Sequence, residues 1–152
     1  MKILIQRSKN SKVEINGKIN GEINHGYVLF VSFTYGDNET IVDKMVKKIV
    51  NLRIFEDENS KMNKSIVDVN GEILSISQFT LYANLNEGNR PSFTNSLEYE
   101  KASKLYNYFN DKMKETGLKI ETGIFGSDMK VSILNDGPVT IMLDSNELFK
   151  NI

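Results

Sequence analysis

Tyr27-Val28-Leu29-Phe30-Val31-Ser32-Phe33 is a nearly unbroken run of aliphatic, β-branched and aromatic side chains. A strand with apolar residues on both faces has to be covered on both, so this run predicts the centre of a sheet. Upstream, Lys2–Arg7 alternates weakly and reads as a strand. Val13-Glu14-Ile15-Asn16-Gly17-Lys18-Ile19 then places Asn-Gly between two strand-like arms, which predicts a tight hairpin because that pair readily takes positive φ angles. Asn24-His25-Gly26 reads as a turn between strands. Downstream, Asp37 or Asn38 can cap a helix whose apolar positions Ile41, Val42, Met45, Val46, Ile49 and Val50 recur at helical spacing. Ile66–Leu74 predicts a second hairpin around Asn70-Gly71, its return strand running into Ser75–Leu81. Tyr82–Phe93 is a loop with Gly88, Arg90 and Pro91. Ser96–Glu115 predicts an amphipathic helix burying Ala102, Leu105, Tyr106, Phe109 and Met113, ended by Gly117. Strands are expected near Leu118–Thr122, Lys130–Leu134 and Val139–Leu143. The expected class is α/β (mixed α+β): a curved, barrel-like mixed β-sheet with two amphipathic helices on its outer face.

The 152 residues predict a single domain, 1–152, large enough to bury a core without a staple. At 39% hydrophobic and 26% charged the composition is that of an ordinary soluble protein. There is no cysteine, which excludes thiolate catalysis, cysteine-ligated zinc and a disulfide framework, and fits a reducing cytoplasm. The start Met1-Lys2-Ile3-Leu4-Ile5-Gln6-Arg7 turns polar too soon for a signal-peptide core, and no run has the length to span a bilayer, so a cytoplasmic protein without a membrane partner is expected. The net charge of −1 argues against coating nucleic acid through an overall field. Lys44, Lys47, Lys48 and Arg53, or Lys61 and Lys64, read as a solvated helix face and a polar loop, and leave room for a small basic patch against one end of an RNA.

His25 is the only histidine, in a stretch that reads as a turn, and a Ser-His-Asp arrangement would need it beside a nucleophile. One histidine and no cysteine cannot assemble a zinc site, and Walker and Rossmann glycine patterns are missing. No cofactor or metal is therefore expected. Hydroxyls, amides and backbone are left to carry any chemistry. Ser77-Gln78-Phe79-Thr80 ends a strand with several donors, but in alternation Ser77 and Phe79 share one face and Gln78 and Thr80 the other, so only a bend would bring all four together. Asn135-Asp136-Gly137-Pro138-Val139-Thr140 interrupts two apolar runs with a residue that lacks an N–H and one that lacks a side chain, which is not ordinary strand interior. Composition alone makes it a tight turn between two strands.

Together these segments resemble the D-aminoacyl-tRNA deacylase family, cytoplasmic homodimeric esterases that remove wrongly attached D-amino acids from tRNA. The resemblance runs from Ile5-Gln6-Arg7 through Asn51–Asp57, Lys61-Met62-Asn63, Ser77–Tyr82, Arg90-Pro91-Ser92-Phe93 and Glu121–Met129 to Asn135–Thr140. Both signature patterns, Ser-Gln-x-x-Leu and Asn-x-Gly-Pro-x-Thr, are intact and in order. It implies that Gly137-Pro138 is a cis dipeptide inserted into the partner subunit's active site, its carbonyls standing where an L side chain would go. L-aminoacyl-tRNA is then rejected, while D-aminoacyl-tRNA and glycyl-tRNA, held by the 3′ terminal adenosine end, are accepted. It further implies that Arg7 braces the dipeptide, that Phe79 lines the adenine or aminoacyl pocket, and that Phe125 and Met129 lie nearby.

For the reaction itself, Thr140 is a candidate nucleophile that lacks an evident base. The alternative that the resemblance implies is water activated with help from the terminal ribose 2′-OH, the oxyanion being held by backbone N–H groups near Gln78–Phe79 and the hydroxyls of Ser77 or Thr80. The chain departs from the family pattern at Ser8, where Val is common, at Asn84, and at Glu87–Arg90, which lacks one of two adjacent arginines; fewer loop cations imply weaker tRNA contact. An RNA-end binding module without chemistry and a purely structural homodimerisation domain are the competing readings.

Overall fold

The structure is a computed structural model that describes residues 1–150. Its longest feature is a hairpin of β1 (Lys2–Ile15) and β2 (Lys18–Ser32), closed by Asn16 and Gly17 with φ angles of 51° and 76°. Both central residues need positive φ in a two-residue turn of this hand, which is why Asn-Gly suits it. β2 then leads into α1 (Glu39–Asn51), whose N-cap Asn38 accepts the Ile41 N–H at 3.0 Å through its side chain. A two-stranded ribbon, β3 (Phe55–Glu56) with β4 (Met62–Lys64), follows, then β5 (Glu72–Ser77) and a 3-10 turn over Phe79–Tyr82. α2 (Tyr99–Lys114), β6 (Ile120–Thr122), β7 (Lys130–Asp144) and the short α3 (Ser145–Leu148) complete the order.

Five strands form one mixed sheet in the order β6-β5-β2-β1-β7. β1 pairs antiparallel with β2 and β7, while β5 pairs parallel with both β2 and β6. On one face Ile3, Ile5, Tyr27, Leu29 and Val31 pack under Val42, Met45 and Ile49 of α1 and Tyr106, Phe109 and Met113 of α2. On the other, Val28, Leu74 and Ile76 cluster with Val13, Ile23 and the partly buried Phe30, Met129, Val131 and Ile133. The Tyr27–Phe33 run is thus covered from both sides, each fully buried aliphatic or aromatic side chain contributing roughly 1.5–3 kcal/mol.

Several expectations are corrected. The sheet is open rather than barrel-like: its ladder ends at β6 and β7, which do not pair with each other. β6 is only three residues long, and after Thr122 the chain leaves the sheet instead of extending toward β7. A third, short helix joins the two expected. The second hairpin does not form. Ser65 and Asp68 cap each other's backbone N–H groups, at 2.9 and 3.1 Å, and Val69 N–H donates to Ser65 O, so Ser65–Asn70 closes as a helical turn before β5 begins. Local side-chain hydrogen bonds override the β-branched composition there. Asn24-His25-Gly26 is not a turn either but lies within β2, with His25 opposite Lys9 and Gly26 opposite Ser8. Gly26 serves the parallel pairing: a Cβ there would lie 1.8 Å from Glu72 O, and its φ is 142°.

Gly26→Ala is accordingly expected to destabilise the fold by about 3 kcal/mol or more, the range of substitutions that force backbone apart. A urea midpoint equal to that of the parent would contradict the close approach of β2 and β5.

Candidate active site

Parallel pairing brings the carboxyl ends of β2 and β5 out side by side, and a cavity of about 550 Å³ opens there. Crevices outside the carboxyl ends of parallel strands are common ligand sites. Val31 and Ile76 form its apolar floor with Met129 and Val131, and Phe93–Leu97, the start of α2 and the Phe125–Met129 loop form its walls. The Phe79 ring is 57% exposed and meets Phe93 edge-on, centroids 5.0 Å apart, at the mouth. Phe125 is fixed between Tyr99 and Tyr106, at 5.0 and 5.8 Å. Burial pushes the Tyr106 phenol above its ordinary range, and it stays a neutral donor to Ser75 O at 2.8 Å. Ser77, Gln78, Ser96, Ser127 and Asp128 supply the polar lining.

A bend separates Ser77 from the residues after it. The Gln78 N–H extends the β2–β5 ladder to Val31 O at 2.8 Å; the chain then turns, and Leu81 and Ala83 N–H donate back to Gln78 O and Thr80 O at 3.3 and 3.1 Å. The N–H groups of Phe79 and Thr80 precede the first of these turn bonds, the position at which donors have no partner within the turn. Phe79 O is taken by the hydroxyls of Ser96 (3.0 Å) and Ser32 (3.4 Å). The Gln78 amide donates to Thr80 Oγ1. Ser77, Gln78 and Phe79 therefore line one cavity despite strand alternation, with Thr80 tied to Gln78 beside them.

A second group of residues lies elsewhere in the chain. Gln6 pairs with Thr140 and Ser8 with Asn135, so Asp136, Gly137, Pro138 and Val139 bulge opposite Arg7 alone. Both halves of β7 run antiparallel to the same strand, so the expected chain-reversing turn is replaced by a wide bulge on an edge strand, where a residue without an N–H is tolerated. Gly137 and Pro138 are exposed and joined by a cis peptide. Gly137 has φ of 127°, and a Cβ on it would stand 2.9 Å from both Arg7 Nη2 and Val139 Cγ2. Arg7 is only 6% exposed, not a surface charge. It donates from Nε to Asp136 O at 3.1 Å and from Nη1 to Ile54 O at 2.8 Å, with the Asp136 and Glu56 carboxylates 3.7 and 4.0 Å away. The fork thus grips the residue before the dipeptide and anchors it to the chain entering β3.

Thr140 Oγ1 accepts from Gln6 Nε2 at 3.2 Å and from Asn135 Nδ2 at 2.8 Å. Neither partner is a base. Arg7, Gly137, Pro138 and Thr140 are absent from the lining of the cavity that holds Ser77, Gln78, Phe79, Phe125 and Met129. Sequence reasoning did not single out Ser96, Tyr99, Gln6 or Asn135; Asn135 was visible as the first member of the Gly-Pro pattern, whereas Ser96 becomes apparent only once its segment folds back over β2.

An aromatic cleft walled by hydroxyls and amides, with no thiol or imidazole, suits a hydrolase that positions an already reactive bond. A model of the D-Tyr-tRNA(Tyr) deacylase family matches residues 4–144. The D-aminoacyl-tRNA deacylase of Aquifex aeolicus (strain VF5) is 54% identical over 148 residues, covering 97% of this chain and 100% of its own. Among solved structures, the c-Myc DNA Unwinding Element Binding Protein superposes with a TM-score of 0.89 at 39% identity, over 95% of this chain and 98% of that one. A probable eukaryotic D-amino acid tRNA deacylase shares the fold, with a TM-score of 0.82 at 15% identity over 93% and 97% of the two chains. The chain belongs to the D-Tyr-tRNA(Tyr) deacylase family, which makes it a hydrolase. Among the described residues no helix is long and apolar enough to cross a membrane.

Because Lys offers a point charge in place of the fork, Arg7→Lys is expected to lose one of the two carbonyl bonds and about 1–3 kcal/mol of stability. An unchanged denaturation midpoint would show that the bonds to Ile54 and Asp136 carry no weight.

Proposed function

We propose that this chain is a D-aminoacyl-tRNA deacylase of the cytoplasm, acting as one domain that pairs with a second copy, and that the Gly137-Pro138 bulge of each copy enters the cavity of the other. The separation of two features supports this reading: one chain carries an open apolar cleft and an exposed, braced bulge whose residues are not part of that cleft's lining. Two copies exchanging bulges give each cleft its missing wall.

In this reading the 3′ terminal adenosine end of the charged tRNA enters beside the Phe79–Phe93 edge contact, with Phe125 and Met129 beyond. The main-chain carbonyls of the bulge stand over the substrate Cα, where a D-amino acid presents only hydrogen and an L-amino acid its side chain. Glycine passes too, so glycyl-tRNA is also a substrate. A thousandfold bias against the L form requires about 4 kcal/mol, which one hard steric overlap supplies. Selection works by exclusion, and the cleft need not recognise any particular side chain.

The attack falls to water. Thr140 is a poor nucleophile here because its oxygen already receives two amide N–H groups and no base adjoins it. The terminal ribose 2′-OH assists the water, the N–H groups of Phe79 and Thr80 receive the developing oxyanion, and Ser77 and the Gln78–Thr80 pair orient the ester. An aminoacyl ester is labile enough that positioning suffices.

Hydrolysis assays with D-Tyr-, L-Tyr- and Gly-charged tRNA are expected to release the first and third rapidly and the second at least about a thousandfold more slowly. Equal D and L rates, or no release, would reject the reading in favour of a binding or structural role. Charged tRNA ending in 2′-deoxyadenosine with a 3′ ester is expected to resist cleavage; normal cleavage would remove the ribose from the mechanism. Gly137→Ala, whose Cβ meets Arg7, is expected to shift the bulge and raise L-Tyr-tRNA hydrolysis about tenfold or more, a change of about 1.4 kcal/mol in the barrier.

A further inference from the structure

We propose that Gln6 and Asn135 are specificity-determining positioning residues: they touch no substrate but hold the neck of the β7 bulge, and through it decide how strictly the wrong mirror form is refused. This rests on the deacylase reading and adds to it the two residues that set its stringency.

A bulge of four residues against one leaves its ladder locally unmade, so its conformation depends on whatever spans its two ends. Arg7 reaches only the leading end, through Asp136 O. The trailing end is closed by side chains. Asn135, the last paired residue before the bulge, accepts the Val139 N–H on Oδ1 at 3.3 Å and donates from Nδ2 to Thr140 Oγ1 at 2.8 Å. One amide thus bridges the bulge from its first flank to its last residue, Val139, and its second flank, Thr140, satisfying the N–H that the broken ladder would orphan. Gln6, directly across on β1, donates to the same hydroxyl at 3.2 Å and pins Thr140 to the sheet from the other side. Thr140 is a shared knot between two amides. This accounts for a hydroxyl with no base beside it, and for an asparagine that neither faces the cavity nor caps a helix.

The device also predicts which changes matter. Leucine at 135 removes both bonds at about constant volume. Methionine at 6 removes one. Aspartate at 135 keeps an acceptor for Val139 N–H and lets the Thr140 hydroxyl donate to it, so the bridge survives with one proton relocated. A bulge without its bridge samples more positions and no longer presents its carbonyls in one place, so refusal of L-substrate weakens while turnover of D-substrate, which never meets the wedge, is nearly unchanged.

The experiment measures kcat/KM for D-Tyr-tRNA and L-Tyr-tRNA on the parent and on Asn135→Leu, Gln6→Met and Asn135→Asp, with thermal melts alongside. Expected are a rise of about tenfold in L-hydrolysis for Asn135→Leu, a smaller rise for Gln6→Met, D-hydrolysis within about threefold of the parent for both, and parental selectivity for Asn135→Asp; tenfold corresponds to about 1.4 kcal/mol. Gln6→Met removes one partly exposed bond and keeps the experiment decisive if Asn135→Leu fails to fold. Unchanged L-rejection in folded Asn135→Leu and Gln6→Met overturns the proposal, as does an equal fall in D and L rates, which marks a role in fold or turnover instead. A parent that cleaves D and L alike refutes the deacylase reading itself and is distinguished by that control.

Discussion

A buried guanidinium holds together the part of this molecule that its sequence makes hardest to build. Gly137 and Pro138 lie in a gap in the β1–β7 ladder, where Pro138 has no N–H to offer, and Arg7 is the single residue standing opposite that gap. A buried charge is tolerable only if it is paired and hydrogen-bonded, and here two carbonyls and two flanking carboxylates satisfy it. Because one of those carbonyls belongs to Ile54, beside the β3–β4 ribbon, the same side chain couples the bulge to a segment far away in sequence. Geometry at the bulge is thereby tied to the chain entering that ribbon as well as to β1.

The cavity arises from a different constraint. β5 can lie parallel to β2 only because Gly26 allows Glu72 to approach, and parallel strands end together. Their shared end is where Ser77, Gln78 and Phe79 emerge, and the 3-10 turn beyond them is locked by Ser96 and Ser32 through Phe79 O. Cavity and bulge thus sit on different strands, β2–β5 and β1–β7, of one sheet. Joining them through a second copy of the chain is the simplest use of both.

Local chemistry was legible in the sequence and long-range pairing was not. Asn16-Gly17 made its hairpin and Asn38 its cap because both are decided within four residues. Tyr27–Phe33 announced a doubly covered strand through composition alone. Asn70-Gly71 misled for the opposite reason: the same dipeptide that turned one hairpin was outvoted by the Ser65–Asp68 capping pair, and the strand after it sought a parallel neighbour rather than its predecessor. His25-Gly26 looked like a turn because a glycine needed for close approach is indistinguishable, in one sequence, from a glycine needed for reversal. Of the candidate site, Ser77–Thr80 and the Gly-Pro stretch stood out by residue type. The bend that brings Ser77, Gln78 and Phe79 to one cavity, the burial of Arg7 and the amide bridge of Asn135 depend on contacts across the sheet that no local pattern encodes.

The central claim, that the bulge of one copy works in the cavity of another, is tested most directly by a mixed dimer. One protomer carries Gly137→Ala, its bulge displaced but its cavity intact; the other carries a cavity closed by Ser77→Trp, its bulge intact. The account predicts that the isolated heterodimer regains one site that cleaves D-Tyr-tRNA and refuses L-Tyr-tRNA, although neither parent homodimer does both. A heterodimer that still cleaves L-Tyr-tRNA like the Gly137→Ala homodimer would place the bulge and the cavity it guards in the same chain and contradict the account.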